Sequence, residues 1–322
     1  MIQFGRYFGL CENAPLPLCP LVEKPHLNGP LCYARSIEIN STLIFQPATL
    51  AMQIVALLMT IVMIYHIKTK YTAVGRKEMV LFFYLYLLTI VMEFIVVSGL
   101  VATASPAYPF LVAGYYGLIS ACLFSLMLNG FVGFQFAEDG TFWSLWTIRV
   151  LSFVVFGLSY FVAVGTFLNI GFSSTSPTVL WIWMYIFQGL SILIYSVLQI
   201  ILVVNTLDDL WPIGNVILGL LLFISGQIIL HILSPRICDY MGHYIDGFFF
   251  EVICTLLSVM MVYKYWDSIT KEDLEFSVSG NQNVWEVKEL LEDMEDTYDP
   301  SDFKPIQSNF NQNLFNSNNY HT

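Results

Sequence analysis

Charge is what this chain has least of. Lys and Arg number 13 and Asp and Glu 24 in 322 residues, so 11% of the chain is charged, against about 25% in an ordinary soluble domain. The formal net charge is -11, with much of the acid beyond residue 266, and no basic stripe exists to displace counterions from a phosphate backbone. Nucleic-acid binding is excluded on that ground. Histidine is scarce too. His26, His66, His231, His243 and His321 are the full set, too few and too scattered for the converging ligands of a zinc hydrolase. His243 with Asp239 and Asp246 would make at most part of a site. HExxH, GxSxG and P-loop motifs are missing, so the reading is a non-enzyme without a cofactor. Residues 1–46 carry Pro15, Pro17, Pro20, Pro25 and Pro30 and no continuous apolar core. A cleaved secretory signal is therefore not expected, and the N-terminal segment should stay on the mature protein.

What the chain has instead is grease. It is 57% hydrophobic and 16% aromatic, with a mean hydropathy of +0.67. A bilayer core about 30 Å thick takes a helix of about 20 apolar residues, and seven stretches qualify: 47–65, 79–101, 110–136, 150–170, 179–204, 213–233 and 245–266. Proline, glycine or charge separates them, in "KTKYTAVGRKE", "ATASPAYP", "AEDGT", "GFSSTSP", "NTLDDLWP" and "SPRICDYMGHY". The expectation is an all-α membrane protein, a seven-helix bundle between an N-terminal segment (1–46) and an acidic tail (267–322).

Lys and Arg resist translocation and set orientation. Lys68, Lys70, Arg76 and Lys77 crowd the first loop, which should be cytosolic. Arg149, Lys264 and Lys271 then fall on the same side, against Arg6, Lys24, Arg35 and Arg236 on the other. The N-terminus is thereby expected in the lumen and the C-terminus in the cytosol. That places Cys11, Cys19, Cys32 and Cys238 in an oxidising compartment, with Cys122 and Cys254 inside spans. Four such cysteines make an even set with three possible connectivities. Three cysteines cannot pair among themselves, so full pairing sends at least one bridge from the N-terminal segment to Cys238. A zinc site built from them with His26 or His243 is disfavoured, because no CxxC pair is present. Asn40-Ser41-Thr42 is the one glycosylation sequon, close to the first span.

Carboxylates at membrane depth are costly and point into protein. Glu93 lies in the second span and Glu251 in the seventh. Each is read either as a proton relay, ion site or docking point for a polar group, or as a structural hydrogen-bonding carboxyl. Gly247, Cys254, Thr255 and Ser258 share Glu251's side of its helix. Asp246 should be a hydrated helix-start residue favoured by the helix dipole. Gly114, Gly117, Ala121 and Ser125 form a small-residue stripe that lets a neighbouring backbone approach. Asn129, Gln188, Gln199, Gln227 and His231 are candidates for interhelical hydrogen bonds. The rival to a structural bundle is a seven-transmembrane receptor. Against it, the third span ends "NGFVGFQFAEDG" and the seventh "MMVYKYWDS", without the acidic-basic-aromatic triplet or the Asn-Pro-x-x-Tyr of G-protein-coupled receptors.

The tail places Val287, Leu290, Leu291 and Met294 on one face of a short amphipathic helix before an Asn/Gln/Ser-rich stretch expected to be disordered. Asp273-Leu274-Glu275 and Asp293-Met294-Glu295 have the Asp-x-Glu form read by the coat that exports cargo from the endoplasmic reticulum. Asp273 and Glu275 are the candidate export signal.

"CENAPLPLCPLV", "FAEDGT", "HYIDGFFFE" and "MMVYKYWDSITKEDLEF" resemble, in the same order, the fungal chitin synthase export chaperones. The likeness runs from about residue 4 to residue 278. It implies a multi-pass protein of the endoplasmic reticulum with a chitin synthase as client, the export coat as a further partner, membrane lipid around it, and a role in chitin synthesis and wall organisation. On that view the spans mask polar intramembrane groups of the client, and residues 265–276 couple its folding to export.

Overall fold

In hydrocarbon an unpaired backbone amide costs several kcal/mol, so a spanning segment must satisfy its hydrogen bonds within itself. The seven apolar runs do so as seven long helices. The computed structural model describes residues 4–22, 31–32, 34–39, 42–70, 73, 75–132, 142–206 and 210–270. By contacts the chain divides into Met1–Lys271 and Glu272–Thr322. The second unit, with the candidate export signal Asp273 and Glu275, the second triplet and the amphipathic stretch, lies outside the described residues, as do His26 and the sequon Asn40.

A short helix α1 (Phe8–Asn13) comes first, then a two-stranded antiparallel hairpin of β1 (Ile37–Ile39) and β2 (Thr42–Ile44). Its register pairs Ile37 with Ile44 and Ile39 with Thr42. The spans follow as α2 (Pro47–Thr69), α3 (Arg76–Val97), α4 (Tyr108–Val132), α5 (Phe142–Phe167), α6 (Thr178–Asn205), α7 (Trp211–Tyr240) and α8 (Gly247–Thr270). Pro47 and Pro212 sit in the first turns of α2 and α7, where the missing N–H is no loss and φ is already helical.

Several ends differ from the sequence expectation. The α5 helix starts at Phe142 rather than near 150. The aromatic and basic residues of "FWSLWTIR" suit a membrane interface, and they continue the helix instead of breaking it. The α7 helix runs through Ser234-Pro235-Arg236 to Tyr240, although proline and charge there read as a loop. A π-helical stretch, Ile229–Leu233, immediately precedes Pro235. The widened turn breaks the regular i to i-4 ladder where the proline ring could not have joined it, so the helix continues. A second π stretch, Ile182–Phe187, lies near the start of α6. The last helix, α8, reaches Thr270, taking Tyr265 and Trp266 into the bundle as buried residues.

The α4 helix is the hub. Of its apolar window 61% is buried, against 22% for α7 and 28% for α8, and it packs on α3, α5 and α6. Small residues permit this: a Cβ on Gly117 would stand 3.1 Å from the Phe156 ring of α5, and Ser120 meets Ser159 at 3.0 Å. Two large core clusters result, beside a small third one of Val203, Val216 and Tyr265. One gathers α1 and the residues flanking it (Tyr7, Leu10, Leu18) with Val112, Ala163, Leu180 and Phe248. The other joins Met63, Ile67, Phe82, Leu126 and Trp266 towards the opposite membrane face. Large apolar side chains such as Phe153, Phe161, Leu193 and Leu221 are exposed on the outside of the bundle, where lipid is their solvent.

Candidate functional site

The proline-rich N-terminal stretch cannot form a long helix, and it packs instead as a lid over one end of the bundle. Tyr7, Cys11 and Ala14 are fully buried. The Tyr7 hydroxyl donates to Met184 Sδ of α6 at 3.3 Å, and the Tyr108 hydroxyl of α4 donates to the Pro17 carbonyl at 2.9 Å. Two disulfides fix it. Cys11 is bonded to Cys19, closing the turn after α1, and Cys32 to Cys238 at the end of α7. Their Cα separations, 5.7 and 6.0 Å, lie in the ordinary range. Beside the second bridge the Arg35 amide donates to the His243 carbonyl at 2.7 Å, and the Arg35 guanidinium lies 5.3 Å from the centre of the Tyr244 ring.

His243 Nδ1 is 3.2 Å from Cys32 Sγ and 3.8 Å from Cys238 Sγ. Among the described residues this is the one group with metal-ligand proximity. With the two sulfurs joined covalently, neither is a thiolate, and thiolate is the form a metal binds. The cluster is a stapled joint.

Under the lid lies a cavity of about 620 Å³ among α2, α3, α4, α6, α7 and α8. It brings Glu93 and Glu251 together on one wall system, close enough for each charge to act on the other. Glu251 accepts from the Thr255 hydroxyl at 2.7 Å and from Gln227 Nε2 of α7 at 3.3 Å. Glu93 stands beside Gln53 and Tyr115. Next to Gln227 the two π stretches meet: the Tyr185 hydroxyl and His231 Nε2 are 3.0 Å apart, and His231 Nδ1 lies 2.9 Å from the Gln227 carbonyl.

Each of the five uncharged polar residues singled out in the sequence bridges two helices. Asn129 donates to the Glu78 carbonyl, Gln188 to the Ser120 hydroxyl, and Gln199 accepts from Tyr265 at 2.6 Å. Gln227 and His231 bond as described above. Asp246 corrects an expectation. It is fully buried rather than hydrated, accepting from Gln46 Nε2 at 3.0 Å and from the Phe249 amide at 3.3 Å, which caps α8. Burial raises its carboxyl pKa above the ordinary value, and the amides of its own helix turn oppose that shift.

Two features escaped the sequence reading. Gln53 is 1% exposed with neither amide atom in hydrogen-bonding geometry. It was visible as a polar residue inside an apolar run. The second is the α7–α8 seam. A Cβ on Gly226 would stand 2.8 Å from Cys254 Cβ and one on Gly219 would stand 3.2 Å from Met261 Cβ, while the Ser258 hydroxyl donates to the Gly219 carbonyl at 2.8 Å. The seven-residue spacing of Gly219 and Gly226 was the available signal.

The family model of the chitin synthase export chaperones matches residues 3–280, covering the lid and all seven spans. Relatives of that name share nearly half their residues with this chain. The one from Gibberella zeae is 47% identical over 302 residues, 92% of this chain and 90% of its own length. That of Phaeosphaeria nodorum is 49% identical over 311 residues, 94% of each chain, and that of Chaetomium globosum is 50% identical over 295 residues, 89% of each. No solved structure matches. A stapled lid over a polar-lined seven-helix bundle, matched from end to end of the membrane domain, places this chain in the chitin synthase export chaperone family.

Proposed function

We propose that this chain is a multi-pass chaperone of the endoplasmic reticulum membrane, on which a chitin synthase depends to fold and to leave for the cell surface, and through it chitin synthesis and wall organisation. The observation that carries the reading is the family match over residues 3–280, which takes in every element of the membrane bundle. The lid and its bridges then face the lumen, as the Lys and Arg of the first loop direct, in a compartment where disulfides persist. The tail with Asp273 and Glu275 faces the cytosol, within reach of an export coat. Exposed apolar helix faces offer the client a packing surface within the membrane. The chain acts by binding and catalyses no bond change.

A seven-transmembrane receptor is the second reading, favoured by the cavity between the helices. It requires residence at the cell surface and a ligand-dependent response. The chaperone reading is tested on the client: in cells lacking this chain, tagged chitin synthase solubilised in mild detergent should migrate as aggregates on a native gel. A client that stays monodisperse overturns it.

A further inference from the structure

The cavity under the lid has the makings of a ligand site, independently of any client. Its volume, about 620 Å³, is in the range of small-molecule pockets. Its two carboxyls lie towards one end. Glu93 lies one turn from the lid end of α3, and Glu251 one turn from the lid end of α8. Gln53 of α2 lines the same cavity, 1% exposed, beside Glu93 and with neither amide atom in good hydrogen-bonding geometry. A bound polar group would complete the hydrogen bonding of that amide.

The sign of that group follows from the neighbours. Two carboxyls line the cavity, and among the described residues lining it there is no Lys or Arg. Two carboxyls sharing a low-dielectric site stay neutral or share a proton until a cation comes between them. An ammonium supplies the charge and three donors, matched here by Glu93, Glu251 and the Gln53 oxygen. The aromatic faces of Tyr86 and Tyr115 on the same lining suit a cation as well. A phosphate or carboxylate head would find no Lys or Arg among the described lining residues, and His231 as the one basic side chain.

Away from the carboxyls the lining is mostly apolar, with Leu123, Leu126, Phe223 and Val259, and with Ser196, Asn215 and Tyr265 among its polar members. On α8 it extends from Phe248 to Tyr265, about 26 Å of helix at about 1.5 Å per residue. That is a slot for an alkyl chain. Gly189 of α6 both lines the cavity and is exposed, and a Cβ added there meets nothing within 4 Å. It marks an opening on the lipid-facing side. Both π stretches, a feature frequent at functional sites, flank this wall through Tyr185 and His231.

We propose that the cavity binds a long-chain amine, an amphiphile with a cationic amino head and no phosphate, drawn from the surrounding membrane, with its head between Glu93 and Glu251 and its tail along α8. The test uses the purified full-length protein in detergent micelles with radiolabelled octadecylamine, and octadecanol and stearate as competitors. Octadecylamine should bind about ten- to a hundredfold tighter than octadecanol, the worth of a charge-assisted head contact, and stearate should not compete. Glu93→Gln and Glu251→Gln should reduce the amine to the level of the alcohol. Gly189→Phe, which leaves both carboxyls in place and meets open space, should abolish binding of both, and this variant decides the matter if the Gln variants fail to fold. Equal affinity for amine and alcohol, or undiminished amine binding by Gly189→Phe, overturns the proposal.

Discussion

Cys32 is bonded to Cys238 across 206 residues of sequence, so the N-terminal segment is tied covalently to the end of α7. The two sulfurs are buried, and the link is reinforced by the Arg35 amide on the His243 carbonyl. Every span from α2 to α7 lies inside the loop this bridge closes. Cross-linking the ends of so long a segment restricts the unfolded chain far more than the bridge of Cys11 to Cys19, separated by 8 residues.

Replacing both members of the long bridge, Cys32→Ser with Cys238→Ser, should therefore cost about 2–5 kcal/mol. Replacing Cys11 and Cys19 together should cost less. The check is thermal unfolding in detergent, followed with a thiol-reactive dye that reports exposure of the free cysteines, Cys122, buried in α4, and Cys254, half-buried in α8. Equal losses for the two double variants would contradict the ranking.

The α7–α8 seam gives a sharper test because a control lies in the same molecule. Gly226→Ala should destabilise by about 1–3 kcal/mol, since its new methyl would stand 2.8 Å from Cys254 Cβ and one helix would have to retreat. Gly157→Ala on the exposed face of α5, where a Cβ meets nothing within 4 Å, should stabilise by up to about 1 kcal/mol through helix propensity alone. The same unfolding assay compares them.

Asp246 makes stability depend on pH in a definite direction. Its native carboxyl binds its proton more tightly than an ordinary carboxylate, so in that window the native state holds more protons than the unfolded one. Its contribution is present at acid pH and is lost as pH rises from the ordinary carboxylate value through the raised one. Asp246→Asn keeps the size and the acceptor for Gln46, and removes the titration. Unfolding temperatures taken from about pH 4 to about pH 8 should show the Asn variant gaining on the native protein as pH rises. A growing loss instead would mean that the carboxylate is favoured as an ion.

The seven spans were legible because lipid demands long apolar runs, and that demand is written locally, residue by residue. Their ends were less so. Pro235 is a helix breaker in isolation, and only the π turn before it explains how α7 passes through to put Cys238 at the lid. The hairpin went unread because its strands are three residues each, too short to declare a period. Glu93 and Glu251 could be named as polar intramembrane groups, yet their meeting in one cavity depends on helix rotation, which a bundle apolar on nearly all sides does not encode. Asp246 was misjudged for a related reason: its distance from the apolar core says nothing of the lid and the Gln46 amide that cover it.

Tyr265 tests whether the end of α8 is part of the bundle or of the tail. Its hydroxyl donates to Gln199 at 2.6 Å from a buried position. Tyr265→Phe should cost about 0.6–1.7 kcal/mol, the range of interhelical hydrogen bonds in membranes. No change in unfolding would place this turn outside the cooperative unit.

The central claim concerns the client, and the most direct measurement is the fraction of tagged chitin synthase at the cell surface, read by surface labelling in cells without this chain and in cells resupplied with it. The account predicts that the client is held inside the cell in the first case and restored to the surface in the second, with wall chitin following. Normal surface delivery in cells without the chain would contradict it.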